Sequence, residues 1–101
     1  MKTELEKMRS GELYSFADAE VTASIVRAQK LCARLRMMSI HDEDYREVIE
    51  ELIPGIPKTS TICPPFHCDH GHGILLGENV FINYNATMLD SAFIRIGKNT
   101  K

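Results

Sequence analysis

The chain lacks an excess of either charge, a long apolar run and an even set of cysteines. Twelve Lys+Arg stand against 14 Asp+Glu, a formal charge of −2. A nucleic-acid-binding surface wants a large basic excess, so this balance argues against that partner. No apolar stretch approaches the roughly 20 residues that cross a bilayer, so no membrane partner is expected. The opening Met1-Lys2-Thr3-Glu4-Leu5-Glu6-Lys7 alternates charge and does not read as a secretory leader, which gives a cytoplasmic expectation. Cys32, Cys63 and Cys68 are an odd number, no disulfide framework, and fit a reducing compartment.

Proline is missing from residues 1–53, where 19 of 53 residues are charged; all four prolines and most glycines fall in residues 54–101, where 7 of 48 are charged. The first segment therefore reads as helical and the second as short strands and turns, with a seam at Pro54-Gly55-Ile56-Pro57. Thr3 and Glu6 have capping-box spacing for a first helix that stops at Gly11. Asp18 is the N-cap of a second, running to about Met37 with Val21, Ile25, Ala28, Cys32 and Leu35 on one stripe. Its basic residues Arg27, Lys30, Arg34 and Arg36 read as a solvated face. A third helix starts near Asp42, its first turn loaded by Asp42, Glu43 and Asp44, with Tyr45, Val48, Ile49, Leu52 and Ile53 on its apolar side.

The second segment repeats. Ile74-Leu75-Leu76-Gly77-Glu78-Asn79 returns as Ile94-Arg95-Ile96-Gly97-Lys98-Asn99, 20 residues later. Six-residue steps that open on an apolar residue and turn on Gly or Asn mark a parallel β-helix, because each flat face needs an inward side chain and each corner a positive φ.

Several blocks resemble the sugar O-acetyltransferases of the maltose and galactoside acetyltransferase family. They are Glu6-Lys7-Met8-Arg9-Ser10-Gly11-Glu12-Leu13-Tyr14, Arg27-Ala28-Gln29-Lys30-Leu31, Pro64-Pro65-Phe66-His67-Cys68-Asp69-His70-Gly71, and Gly77-Glu78-Asn79-Val80-Phe81-Ile82-Asn83-Tyr84-Asn85 with Met88-Leu89-Asp90. They occur in the family's order along the whole chain. The resemblance implies a mixed fold: a helical cap (residues 1–53) followed by the start of a left-handed parallel β-helix (residues 54–101), truncated relative to the family. It also implies a homotrimer, acetyl-CoA as donor and a sugar hydroxyl as acceptor.

O-acetylation needs a base for the sugar hydroxyl. The family's histidine sits in a Thr-His-Pro-like segment with no counterpart among these residues, so no catalytic residue is assigned to His41, His67, His70 or His72. The later coils that line the CoA groove have no counterpart either, so these residues are expected to bind acetyl-CoA poorly. By family position, Asp69, Asn83, Asp90 and Asp18 are the acceptor-binding candidates. Asn83 reads equally as a coil corner, Asp90 as a turn residue, Asp18 as a plain N-cap and Phe81 as either a sugar contact or core. Two other readings stay open. One is a non-catalytic oligomerisation or sugar-binding remnant. The other is a small metal module built from Cys63, His67, Cys68, His70 and His72, whose spacing suits zinc poorly. A partly built coil also predicts that Ile74, Leu76, Val80, Ile82, Ile94 and Ile96 lack cover and that the chain self-associates.

Overall fold

Thr3 opens the first helix as its spacing predicts. In the computed structural model, which describes residues 1–101, the Thr3 hydroxyl accepts from the Glu6 amide at 3.1 Å. The Glu6 carboxylate accepts from the Thr3 amide at 2.9 Å in return. This reciprocal pair satisfies two otherwise orphaned donors and starts α1 (Glu4–Ser10), which ends on left-handed Gly11. Asp18 caps α2 (Ala19–Leu35) by accepting from the amides of Glu20 and Val21. Val21, Ala28, Leu31, Cys32 and Leu35 are buried along it, while Ile25 is only half-buried.

The third helix, α3 (Tyr45–Leu52), begins three residues later than the acidic run predicts. Asp42 is spent on the preceding turn, where its carboxylate accepts from the Ser39 amide at 2.9 Å. Asp44 sits at the N-cap without a side-chain bond. The run Asp42-Glu43-Asp44 therefore precedes the helix rather than forming its first turn. The basic face of α2 also departs from expectation. Lys30, Arg34 and Arg36 are exposed, but Arg27 turns inward and donates to the carbonyls of Glu51 and Leu52 at the end of α3. A helix C-terminus carries orphaned carbonyls and partial negative charge, and a guanidinium satisfies both.

Six short strands follow: β1 (Thr61–Ile62), β2 (Phe66–Cys68), β3 (Ile74–Leu76), β4 (Phe81–Ile82), β5 (Ala86–Met88) and β6 (Ile94–Ile96). Each of the first three pairs in parallel with the strand three places later, making three two-stranded faces. The registers Thr61↔Phe81, Phe66↔Ala86 and Ile74↔Ile94 carry the 20-residue sequence period into space. The ladder continues past them: the Thr61 amide donates to Val80, and the Phe81 amide donates to Thr100. Corners fall at Asn79, Asn85 and Asn99, all with positive φ, and Asn79 Nδ2 donates to Asn99 Oδ1 one coil away at 3.0 Å. At Gly77 the coils stack so closely that a Cβ would lie 2.6 Å from the Lys98 nitrogen, which leaves room for glycine alone.

The helical cap sits on the first coil. One core joins Leu31, Leu35, Val48, Ile49 and Leu52 from the helices to Ile62, Phe66 and Ile74 from the strands. The Tyr45 hydroxyl locks this seam by donating to the Ile62 carbonyl at 2.5 Å and accepting from the Ile62 amide at 3.0 Å. Ile74, Val80 and Ile82 are consequently buried, contrary to the expectation that they lack cover; Leu76, Ile94 and Ile96 are half-buried. No helix is long and apolar enough to cross a membrane.

Candidate functional site

The segment between β2 and β3 gathers the polar side chains of the cap and the coil. Gly71 has φ 88° and lies against the Leu52 carbonyl, so the chain can pass under the end of α3 only without a Cβ. His70 and His72 flank it. Ser24, from α2, places its hydroxyl oxygen 2.6 Å from His70 Nδ1 and 2.9 Å from His72 Nε2. Arg9, from α1, sits with Nη2 2.6 Å from His72 Nδ1. Arg27 Nη1 donates to the His70 carbonyl at 2.8 Å.

Proton positions follow from chemistry. A guanidinium only donates, so His72 Nδ1 accepts and its Nε2 carries the hydrogen. That Nε2–H donates to Ser24, whose own hydroxyl hydrogen is then free to bond His70 Nδ1. The result is a directed relay Arg9→His72→Ser24→His70, in which both rings are neutral and neither keeps a free basic nitrogen. The electrostatics agree. Burial holds both histidines below the usual imidazole range; Asp90 opposes this at His70 more than Arg9 adds to it, whereas at His72 the positive charge of Arg9 is the larger of the two. Burial likewise lowers Arg9, against the opposing pull of Asp90.

Asp90, at the end of the second coil's β5 face, anchors the relay from beneath. It is fully buried; Oδ1 accepts from the His70 amide and Oδ2 from the Gly73 amide, both at 2.9 Å. Arg9 stands 3.9 Å from Oδ2 and also donates to the Asp90 and Ser91 carbonyls. Asp90 thus serves backbone amides one coil back as well as its charge partner.

The four acceptor candidates occupy different settings. Asp69 is half-buried between Cys68 and His70, and its carboxylate stays outside the bonds that engage its neighbours. Asn83 is exposed after β4, with Oδ1 accepting from the Tyr84 amide at 2.9 Å. Asp18 is occupied as the α2 cap, and Phe81 lies exposed on β4. Asp90 thus binds the His70 amide, with Asp69 next to His70 in the chain, while Asn83 and Asp18 are engaged elsewhere. His41 and His67 are exposed and stand apart from the relay. The cysteine and histidine ligand types do not converge either, because Cys68 faces Cys32 while His70 and His72 face Ser24. An open cleft of about 650 Å³, lined by Lys2, Glu6, Arg9, His72 and Phe93, gives solvent access to the Arg9 end of the relay. Sequence reasoning missed Arg9, Ser24 and Arg27, since their partners lie far away along the chain.

A helical cap docked on parallel coils of hexapeptide strands defines the hexapeptide-repeat class. Residues 7–56 match the maltose acetyltransferase hexapeptide capping motif. Nodulation protein L of Rhizobium meliloti (strain 1021) is 33% identical over 100 residues, covering 98% of this chain and 55% of that protein. The Nodulation protein L of Rhizobium leguminosarum bv. viciae is 34% identical over 100 residues, with 98% and 53% covered. Among solved structures, a maltose O-acetyltransferase from Clostridium difficile 630 superposes with a TM-score of 0.87 at 31% identity, over 97% of this chain and 53% of that one. A hexapeptide-repeat acetyltransferase from Vibrio cholerae O1 biovar eltor, complexed with acetyl coenzyme A, gives 0.77 at 36% identity, over 95% and 52%. The chain belongs to the family of hexapeptide-repeat acetyltransferases that carry the maltose acetyltransferase capping motif, and it spans about half the length of the curated relatives it matches.

Proposed function

We propose that the protein works in sugar O-acetylation, moving the acetyl group of acetyl-CoA to a hydroxyl of a maltose-, glucose- or galactoside-type acceptor. In this reading residues 1–53 are the cap, residues 54–101 begin a left-handed β-helix, and the assembly is a cytoplasmic homotrimer. The observation that carries the reading is the superposition of 97% of the chain on a maltose O-acetyltransferase. In the reaction a base removes the hydroxyl proton as the oxygen attacks the thioester carbonyl; the tetrahedral oxyanion then collapses and expels the thiolate of CoA.

These residues supply the acceptor side. Asp69 has an uncommitted carboxylate and Asn83 an exposed side-chain amide whose NH2 is free to donate, and each suits a sugar hydroxyl. Asp90 acts as a positioning residue, holding the Asp69–Gly73 segment through two backbone amides. Asp18 contributes by fixing the start of α2. In this reading the base role falls to none of His41, His67, His70 and His72; the Arg9 contact with His72 Nδ1 and the Ser24 contacts with both rings support that for His70 and His72. The proton acceptor and the groove for acetyl-CoA lie outside residues 1–101, so these residues alone bind acetyl-CoA poorly.

Nuclear magnetic resonance titration with maltose, glucose and galactosides tests the acceptor side. The reading expects shifts at the Asp69 and Asn83 amides, lost in Asp69→Ala for the Asp69 cluster. Saturable shifts confined to other parts of the chain would contradict it.

A further inference from the structure

Two buried thiols meet at the seam between cap and coil. Cys32 lies on α2 two turns beyond Ser24, on the same face, and Cys68 closes β2; their sulfurs are 3.9 Å apart. The pair ties α2 to β2, while Ser24 ties α2 to His70 in the segment that follows β2. The third cysteine, Cys63, is half-buried.

We propose that Cys32 and Cys68 form a peroxide-sensitive dithiol whose oxidation to a disulfide locks the helical cap onto the first coil. The two sulfurs share a hydrogen bond that either can donate; it is the main reason the Cys32 thiol is lowered to about 7, with burial opposing and Arg36 adding to it. The same bond, together with burial, pushes the Cys68 thiol up. At 3.9 Å one sulfur can carry the charge while the other holds the proton, which sets a nucleophile beside a resolving partner. Both residues are buried, at 5% and 8% exposure, so the oxidant that suits the pair is one as small as hydrogen peroxide.

The steps balance. The Cys32 thiolate attacks one oxygen of hydrogen peroxide; the O–O bond breaks, hydroxide leaves, and Cys32 becomes a sulfenic acid. The Cys68 sulfur then attacks the sulfenic sulfur, the S–O bond breaks, and the departing hydroxide takes the Cys68 proton as water. The two sulfurs supply the two electrons that reduce the peroxide. A thiol reductant reverses the bond.

The test treats the protein with a few equivalents of hydrogen peroxide, quenches, denatures, alkylates and digests without reductant. The three free thiols should fall to one, and mass spectrometry should find the Cys32 peptide linked to the Cys68 peptide. Cys63→Ser should form the same link, and dithiothreitol should restore the thiols. The oxidised protein should unfold at higher urea concentration than the reduced protein. Reading the link on the native chain and on Cys63→Ser avoids core variants that fail to fold. Three surviving thiols, sulfinic acid at Cys32 or Cys68 without a linked peptide, or a link through Cys63 would overturn the proposal.

Discussion

Arg9 Nη2 lies 2.6 Å from His72 Nδ1, and because a guanidinium cannot accept a hydrogen bond, this one contact sets the tautomer of the ring and the direction of the whole relay. A helix near the N-terminus thereby fixes a proton position in a loop that follows β2. Protonating His72 would place a new N–H against Arg9, and protonating His70 would place one against the Ser24 hydroxyl hydrogen.

The first prediction is acid weakening of the cap. Both histidines titrate below the ordinary value of 6.5 in the folded chain. Between that value and the lowered folded values the unfolded chain binds more protons, so stability falls as pH falls. The contribution is complete above about 6.5, declines as pH drops through that value, and is lost below the folded values. Urea midpoints measured from pH 8 to pH 5 should fall with acid, and His70→Gln with His72→Gln should flatten the slope. A midpoint unchanged down to pH 5 would contradict the relay.

Asp90 should be the residue least tolerant of truncation. Removing its carboxylate leaves the amides of His70 and Gly73 unpaired and strands Arg9 in a half-buried site. Asp90→Ala should cost about 3 kcal/mol in urea unfolding, with Asp90→Asn between it and the parent. A loss below about 1 kcal/mol would mean that water or another acceptor replaces the carboxylate.

Tyr45 gives an isosteric test of the seam. Tyr45→Phe keeps the ring in the core but leaves both the N–H and the C=O of Ile62 without a partner. The expected loss is about 2 kcal/mol by chemical denaturation, with unchanged helix content by circular dichroism.

These sites also mark what a sequence can reveal. The capping box of Thr3 and Glu6, the Asp18 cap and the 20-residue period are local or periodic, and each is found as predicted. The acidic run at Asp42–Asp44 misled because helix-favouring charge and turn-closing carboxylates are the same residues; the Ser39 amide captured Asp42. Arg27, Ser24 and Cys32 carry no local signal. Their roles come from the crossing of α2 over α3 and β2, which brings Ser24 to His70 and Cys32 to Cys68 across 46 and 36 residues of chain. The burial of Ile74, Val80 and Ile82 was missed for the same reason: it depends on how well the helices roof the first coil.

The far side of the coil predicts association. β5 and β6 each have a strand partner on one side only, whereas β4 is also met by Thr100, and Leu89 and Phe93 are exposed beside the half-buried Ile94 and Ile96. Unpaired strand edges next to apolar side chains template pairing with another chain. Sedimentation equilibrium of the 101-residue chain at low micromolar concentration should show oligomers. A monodisperse, cooperatively folding monomer would contradict this reading of the coil.

Acetyl transfer tests the central claim most directly. The measurement is CoA release from acetyl-CoA with maltose, glucose or a galactoside present. It is made on residues 1–101 alone and on a chimera that continues after Lys101 with the later coils of the Clostridium difficile maltose O-acetyltransferase. The account predicts no release above background from the chain alone. It predicts sugar-dependent release from the chimera, reduced about tenfold or more by Asp69→Ala through lost acceptor alignment. Release by the chain alone that disappears in His70→Ala or His72→Ala, or a folded chimera that never transfers acetyl, would contradict it.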